Sequence, residues 1–164
     1  MIDALYDEKI EHLLELNEHY IISPFLHIYP PESDFDNLEE YFYKNYIKDY
    51  SERVSKIVLS EICRYDSLCY LTEFASEKKK KKYAKYQYCD FRKKGLKKIV
   101  KILKYVICNA GTSMNIYIPV IDSLITIGSG FDTVIYSENG NFIKDARKYT
   151  ETCGLFFLKK NGLR

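Results

Sequence analysis

The stretch at residues 115–136, NIYIPVIDSLITIGSGFDTVIY, limits the possible folds more than any other part of the chain. It sets Ile, Val, Leu and Phe between turn signals at Asp122-Ser123 and Gly128-Ser129-Gly130, with a further one at Glu138-Asn139-Gly140. Short β-branched runs separated by turn residues are the pattern of antiparallel strands joined by tight connections. Three strands are expected, at residues 115–121, 124–127 and 132–137, with Pro119 placing the first at an edge or a bulge because proline cannot donate to a ladder. The stretch carries no His, no Cys and no clustered carboxylates, so it reads as scaffold. Its glycines match neither G-x-G-x-x-G nor G-x-x-x-x-G-K, and so are turn glycines rather than a phosphate loop.

A sheet of this kind needs cover, and the charged sequence before it supplies helical periodicity. Ile2, Leu5, Tyr6, Ile10, Leu13, Leu14 and Leu16 recur at helical spacing behind Asp3, which predicts a first helix ending at or near Ser23-Pro24. Pro30-Pro31 makes residues 21–33 a connection, with a short extended piece at residues 25–28. A second helix should start at Asp34 or Asp36 with Leu38, Tyr41, Phe42, Tyr46 and Ile47 inward. A third should start at Ser51, read as a cap, with Val54, Ile57, Val58 and Ile62 behind it. Residues 68–74 fit either helix or strand. A fourth helix has Leu96, Ile99, Val100, Leu103, Val106 and Ile107 on one face and lysines on the other, and stops at Asn109-Ala110-Gly111. A short helix at 142–152 and a last strand at 155–158 complete an α+β chain. About four N-terminal helices (residues 1–111) should pack on a small C-terminal antiparallel sheet (112–164) with one further short helix.

With 164 residues, 46% of them hydrophobic, the chain suits one domain with one ordinary core. The acidic N-terminus lacks the basic start and apolar run of a secretory signal, and no window reaches the roughly 20 apolar residues of a membrane span, so a cytoplasmic protein is expected. Five cysteines, without a C-x-x-C pair, point to free, mostly buried thiols rather than a disulfide framework or zinc ribbon. The three histidines, His12, His19 and His27, lack the i, i+4 spacing of a helical metal site. No catalytic residue, metal or cofactor is expected.

The formal net charge of +2 conceals a partition. Residues 1–52 hold 13 acidic and 3 basic side chains, and residues 53–112 hold 5 and 16. Charge separated on this scale bears on partners rather than on fold. The charged faces of the first two helices and of the lysine-rich helix should therefore point to different sides of the domain. Asp34, Asp36, Glu39 and Glu40 crowd one helix start beside a proline-bounded loop, with Phe35 and Tyr43 near enough to act as aromatic anchors. These six residues are the candidate partner-binding set. Acidic side chains also suit the positive end of a helix dipole with no function attached. The basic segment bounded by Lys78 and Lys104 interleaves lysine with Tyr83, Tyr86 and Tyr88, the mixture a single-stranded nucleic-acid surface uses, and that is the alternative reading.

Residues 122–136, together with GLFFLKK at 154–160, resemble the small bacterial immunity proteins that neutralise toxins of contact-dependent growth inhibition and related systems. The resemblance is one of character, a one-domain α+β chain with a dense acidic region, and has no invariant motif to carry residues over by position. It implies an inhibitor that binds a cognate toxin domain, commonly a nuclease, with acidic groups meeting the toxin's basic cleft.

Overall fold

The computed structural model describes residues 4–27, 35–72, 74–75 and 83–161. Its centre is a six-stranded antiparallel sheet of β1 (Glu18–Ser23), β2 (Leu68–Leu71), β3 (Met114–Ile118), β4 (Ser123–Ile127), β5 (Thr133–Ser137) and β6 (Phe156–Asn161), in spatial order β2-β3-β4-β5-β1-β6. Among the described residues the α-helices are α1 (Ala4–Leu14), α2 (Phe35–Arg64), α3 (Leu96–Cys108) and α4 (Gly140–Thr152). None is long and apolar enough to cross a membrane.

Alternation along the strands sends side chains to two different cores. On one face, Cys69, Ile116, Ile125, Ile135 and Tyr20 lie in register across five strands. They join the buried stripes of α2, α3 and α4 in the main cluster. Each fully buried isoleucine there stabilises the fold by about 1.5–3 kcal/mol. On the other face, Tyr70, Tyr117 and Leu124 meet Ile10 and Leu13 of α1 in a smaller cluster. Among the described residues, one helix thus covers one face of the sheet and three cover the other.

The expected meander is present as β3-β4-β5, and α3 has the expected buried face at Ile99, Leu103, Val106 and Ile107. The arrangement around them differs from four helices on a small C-terminal sheet. β1 and β2 come from the N-terminal part, and β1 is inserted between β5 and β6 with a six-residue ladder to β6. The first helix therefore ends at Leu14, and the extended piece is residues 18–23 rather than 25–28. Six residues are too few for periodicity to separate helix from strand, and Tyr20 and Ile22 suit both. The second and third helices are one 30-residue helix, about 45 Å long. Ser51 does not cap it: the Ser51 hydroxyl donates to the Lys48 carbonyl at 2.7 Å, and the Ser55 hydroxyl to Ser51 at 2.6 Å. Serines bonded back to the preceding turn ride inside a helix instead of starting one. Pro119 leaves β3 in the sheet interior by opening a 3₁₀ turn just after its last residue. Of the five free cysteines only Cys69 is buried, and Cys63 is exposed.

β2 would be an edge strand, but the following segment covers it. The Tyr88 amide donates to Leu71 at 2.9 Å, the Phe91 amide to Cys69 at 2.8 Å, and the Asp90 carboxylate accepts from the Cys69 amide at 3.0 Å. Arg92 then reaches the end of α2, donating to the Ile62 and Tyr65 carbonyls and pairing with Asp66. Backbone groups exposed at a sheet edge and a helix C-terminus are satisfied together.

One buried group runs against this pattern. Glu61 on α2 is 0% exposed, and neither carboxyl oxygen has a hydrogen-bond partner. It lies one turn before Arg64 and Tyr65, which touch Asp145 and Phe142 of α4, so it sits under that helix. Burial, opposed by nearby Arg64 and reinforced by Asp145, pushes its carboxyl up to about 7. The raised value sets the sign. The unfolded chain ionises this group near 4.5 and the folded chain only near 7, so stability falls as pH rises through that window. The loss amounts to about 3 kcal/mol by pH 8. We expect Glu61→Gln to be clearly more stable than wild type at pH 8 and to lose the advantage at pH 4.5. Urea melts of both proteins at the two pH values check this, and parallel pH profiles would show that Glu61 is ionised throughout.

Candidate functional site

The fully buried residues of α2 run from Ile47 to Ile62, and its first three turns reach the main core through the half-buried Phe35, Leu38 and Phe42 while most of their other side chains are exposed. They are held as helix partly by the ion pair of Lys44 with Glu40 (2.5 Å) and the bond from Asn45 to the Tyr41 carbonyl (2.7 Å). This projecting end carries Tyr41, Tyr43 and Tyr46, exposed to 55%, 38% and 44%. Tyr41 and Tyr46 adjoin Phe42, which stands 4.9 Å from Phe25. Phe25 in turn meets Phe35 and Phe131 edge-on, and Phe131 meets Tyr50. A connected run of rings thus leads from solvent to the core. Tyr43 is fixed separately, its hydroxyl donating to the Cys108 carbonyl at the end of α3 (3.2 Å) and its ring packed near Gly130.

Two hollows adjoin this end, and a third adjoins the second. The first, about 440 Å³, is lined by Asp36, Glu39, Glu40, Tyr43 and Lys44. The second, about 410 Å³, shares Glu39 with it and has a floor of Ile21, Phe25, Phe35, Phe131 and Leu158, with His27, Asp132 and Lys160 also around it. The third, about 420 Å³, shares Ser129 and Asp132 with the second and continues over Thr72, Gly111, Thr112 and Ser113. The strand ends and the β4-β5 turn therefore extend one groove, with the carboxylates of Asp36, Glu39, Glu40 and Asp132 along it.

Of the six residues expected to bind a partner, Asp34 lies outside the described residues. Asp36, Glu40 and Tyr43 are exposed, Glu39 is half-buried where two hollows meet, and Phe35 is half-buried against Phe25. Lys44 holds the Glu40 carboxyl below its usual range by hydrogen bond and charge. Sequence reasoning did not single out Asp132, Ser129, Phe131, Tyr41 or Tyr46 as site residues. The signal for Asp132 was a lone carboxylate directly after the Gly128-Ser129-Gly130 turn in an otherwise apolar run.

The basic segment is arranged differently from a stacking platform. Lysines 78–82 lie outside the described residues. Tyr83 and Tyr86 are 2% and 5% exposed, so they are not open for bases to stack on, while Tyr88 is 41% exposed. The Lys98 ammonium stands over both rings, at 5.9 and 5.6 Å. Lys93, Lys94, Lys97 and Lys101 remain exposed. The two charged regions are also not on opposite sides, since α2 and α3 are neighbours and Lys104 pairs with Glu52; α1 alone lies on the far face of the sheet. Among the described residues no three His, Cys, Asp or Glu side chains gather as metal ligands.

Comparison of the chain with protein-family models, curated proteins and solved structures finds no match. The groove must be read from its own chemistry.

Asp132 is the carboxylate in it that burial perturbs. The Gly128 amide donates to the Asp132 carbonyl at 2.6 Å, and the carboxyl folds so closely over Gly128 that an added Cβ there would stand 2.3 Å from Oδ2. Loss of water raises its ionisation above the ordinary Asp value, and Lys160 partly offsets this. Gly128→Ala should displace the carboxyl toward solvent and lower its pKa toward the ordinary value, with a destabilisation of about 1 kcal/mol. NMR titration of Asp132 in both proteins is the check, and an unchanged titration would mean that desolvation at Gly128 is not the cause.

Proposed function

We propose that this protein is an immunity-type inhibitor that binds a cognate bacterial toxin domain, a nuclease in the simplest case, and blocks its active site. The observation that carries the reading is the projecting end of α2, where three exposed tyrosines stand beside Asp36, Glu39 and Glu40 on a rigid helix. Aromatic residues dominate interface energetics, and those at the base of this group are already locked by packing, so little side-chain entropy is lost on binding. Carboxylates at the rim would draw in the cationic surface with which a nuclease holds its substrate and would speed association. In this reading the protein acts by occlusion and performs no chemistry.

A nucleic-acid-binding accessory role has one observation in its favour, the exposed Lys93, Lys94, Lys97 and Lys101 around the start of α3. A gel shift with RNA and DNA over a salt series separates the two readings, because phosphate contacts weaken steeply as salt rises. Retention of nucleic acid near physiological ionic strength would favour the accessory role. For the inhibitor, the double variant Asp36→Lys, Glu40→Lys should fold and melt only a few degrees below wild type, because it loses the Glu40–Lys44 pair and places cations in the first turns of α2 while both sites stay exposed. Its association with a cognate toxin domain should slow by roughly tenfold at low salt. Unchanged kinetics in the folded variant would put the interface elsewhere.

A further inference from the structure

We infer that Arg64 is a two-position latch between α2 and α4: it bridges to Asp145 while Glu61 is protonated and folds back onto Glu61 once that carboxyl ionises, so that protons govern how α4 is seated. The inference is independent of the inhibitor reading.

Glu61 is 0% exposed, and both of its carboxyl oxygens lack a hydrogen-bond partner. A carboxyl in that state persists as the neutral acid, because an ionised one without a counterion costs far more. The charges that act on it are Arg64, one turn along α2, and Asp145 of α4. Arg64 is engaged elsewhere: its guanidinium donates to the Asp145 carboxylate and lies 5.1 Å from the centre of the Tyr65 ring. That pair and the contact of Tyr65 with Phe142 tie the first turns of α4 to the end of α2. Charged groups on the surrounding elements are engaged with one another. Arg92, beside Ile62, pairs with Asp66; Arg147 of α4 meets Glu151 and the Phe157 ring; Glu18 and Lys159 pair at the rim of the sheet.

Two carboxylates thus compete for one guanidinium, and burial decides between them. The Arg64 and Asp145 side chains are 43% and 33% exposed, so water can replace either partner at small cost. The Glu61 oxygens have no such substitute. While Glu61 is neutral it needs no counterion, and Arg64 stays with Asp145. When its proton leaves, the buried anion draws the guanidinium off Asp145, which solvent then hydrates. The swing needs no change in the α2 backbone, since the two residues are neighbours on one helix. It does remove the bridge to α4 and sets a charge beneath that helix. Burial, opposed by Arg64 and reinforced by Asp145, raises the Glu61 carboxyl to about 7, so the bridge is present below neutral pH and lost as pH rises through that value.

The test is an NMR titration of the full chain from pH 5.5 to 8.5, with ¹³C in the Glu and Asp carboxyls and ¹⁵N in the backbone and the Arg side chains. The Glu61 carboxyl, the Arg64 Nε and the amides of residues 142–146 should move through one shared midpoint near pH 7, while the amides of β3 and β4 hold still. Glu61→Gln keeps the shape of the side chain and cannot ionise. In that variant Arg64 Nε and the α4 amides should stay at their low-pH positions across the range. Arg64→Gln, with its spectrum otherwise retained, should raise the Glu61 midpoint by about one unit or more, a tenfold change in proton affinity, because the buried anion has lost its counterion. A Glu61 carboxyl that titrates while Arg64 Nε and the α4 amides stay flat would mean that the guanidinium does not answer the buried charge, and the latch would be wrong. A transition at Arg64 that survives in Glu61→Gln would overturn it equally, as would a Glu61 midpoint that Arg64→Gln leaves unmoved.

Discussion

The Tyr50 hydroxyl is where the helix layer and the sheet are joined by more than apolar contact. It donates to the Ile22 carbonyl on β1 at 2.9 Å and lies 3.0 Å from the Thr133 hydroxyl on β5. Tyr50 is almost wholly buried, and burial pushes its ionisation well above the ordinary tyrosine range, so the group stays a neutral donor at any working pH. Removing it would leave a buried carbonyl short of a partner, a penalty of about 1–3 kcal/mol. Its position fixes α2 along and across the two strands that meet there, and everything N-terminal to it on the helix follows as a rigid extension. The ring run from Phe131 through Phe25 and Phe42 to Tyr41 and Tyr46 continues that rigidity to the surface.

Electrostatics contribute to this structure mainly outside the core. Pairs such as Glu40 with Lys44, Asp49 with Arg53 and Glu18 with Lys159 join exposed groups, which solvent and salt screen, and so contribute little to stability. The acidic first third is divided by the sheet: α1 is on one face, and the carboxylates at the start of α2 are on the other side, near the strand ends. What was one block in the sequence is therefore two separate surfaces, and the second is the one beside the exposed Tyr41, Tyr43 and Tyr46.

Much of this was legible in the residues, in proportion to how local the cause is. The β3-β4-β5 meander follows from turn residues at fixed offsets, and α3 from a strong apolar stripe. α4 begins where Asn139 caps it by accepting from the Phe142 amide. The insertion of β1 was not legible, because its partners are set by pairing across the chain rather than by the six residues themselves. The continuity of α2 was hidden by Ser51, whose hydroxyl can serve either a cap or the preceding turn. For the candidate site, Phe35, Glu39 and their neighbours could be picked from one helix start. Asp132 could not, because its environment is made by β1, β6 and α2 arriving from elsewhere, and a carboxylate after a glycine turn reads as solvent-facing until those elements are placed.

The insertion of β1 also bears on the order in which the molecule is made. On the ribosome α1 and β1 emerge early, yet neither strand that flanks β1 exists until most of the chain has followed. During that interval Tyr20 and Ile22 have no ladder to join, and α2 has nothing to close over. Pairing between such distant segments carries a loop-closure cost that local contacts do not, and it slows folding. Once β6 is released, its ladder to β1 draws the two ends of the described chain side by side, and the sheet is completed by a closure rather than an extension.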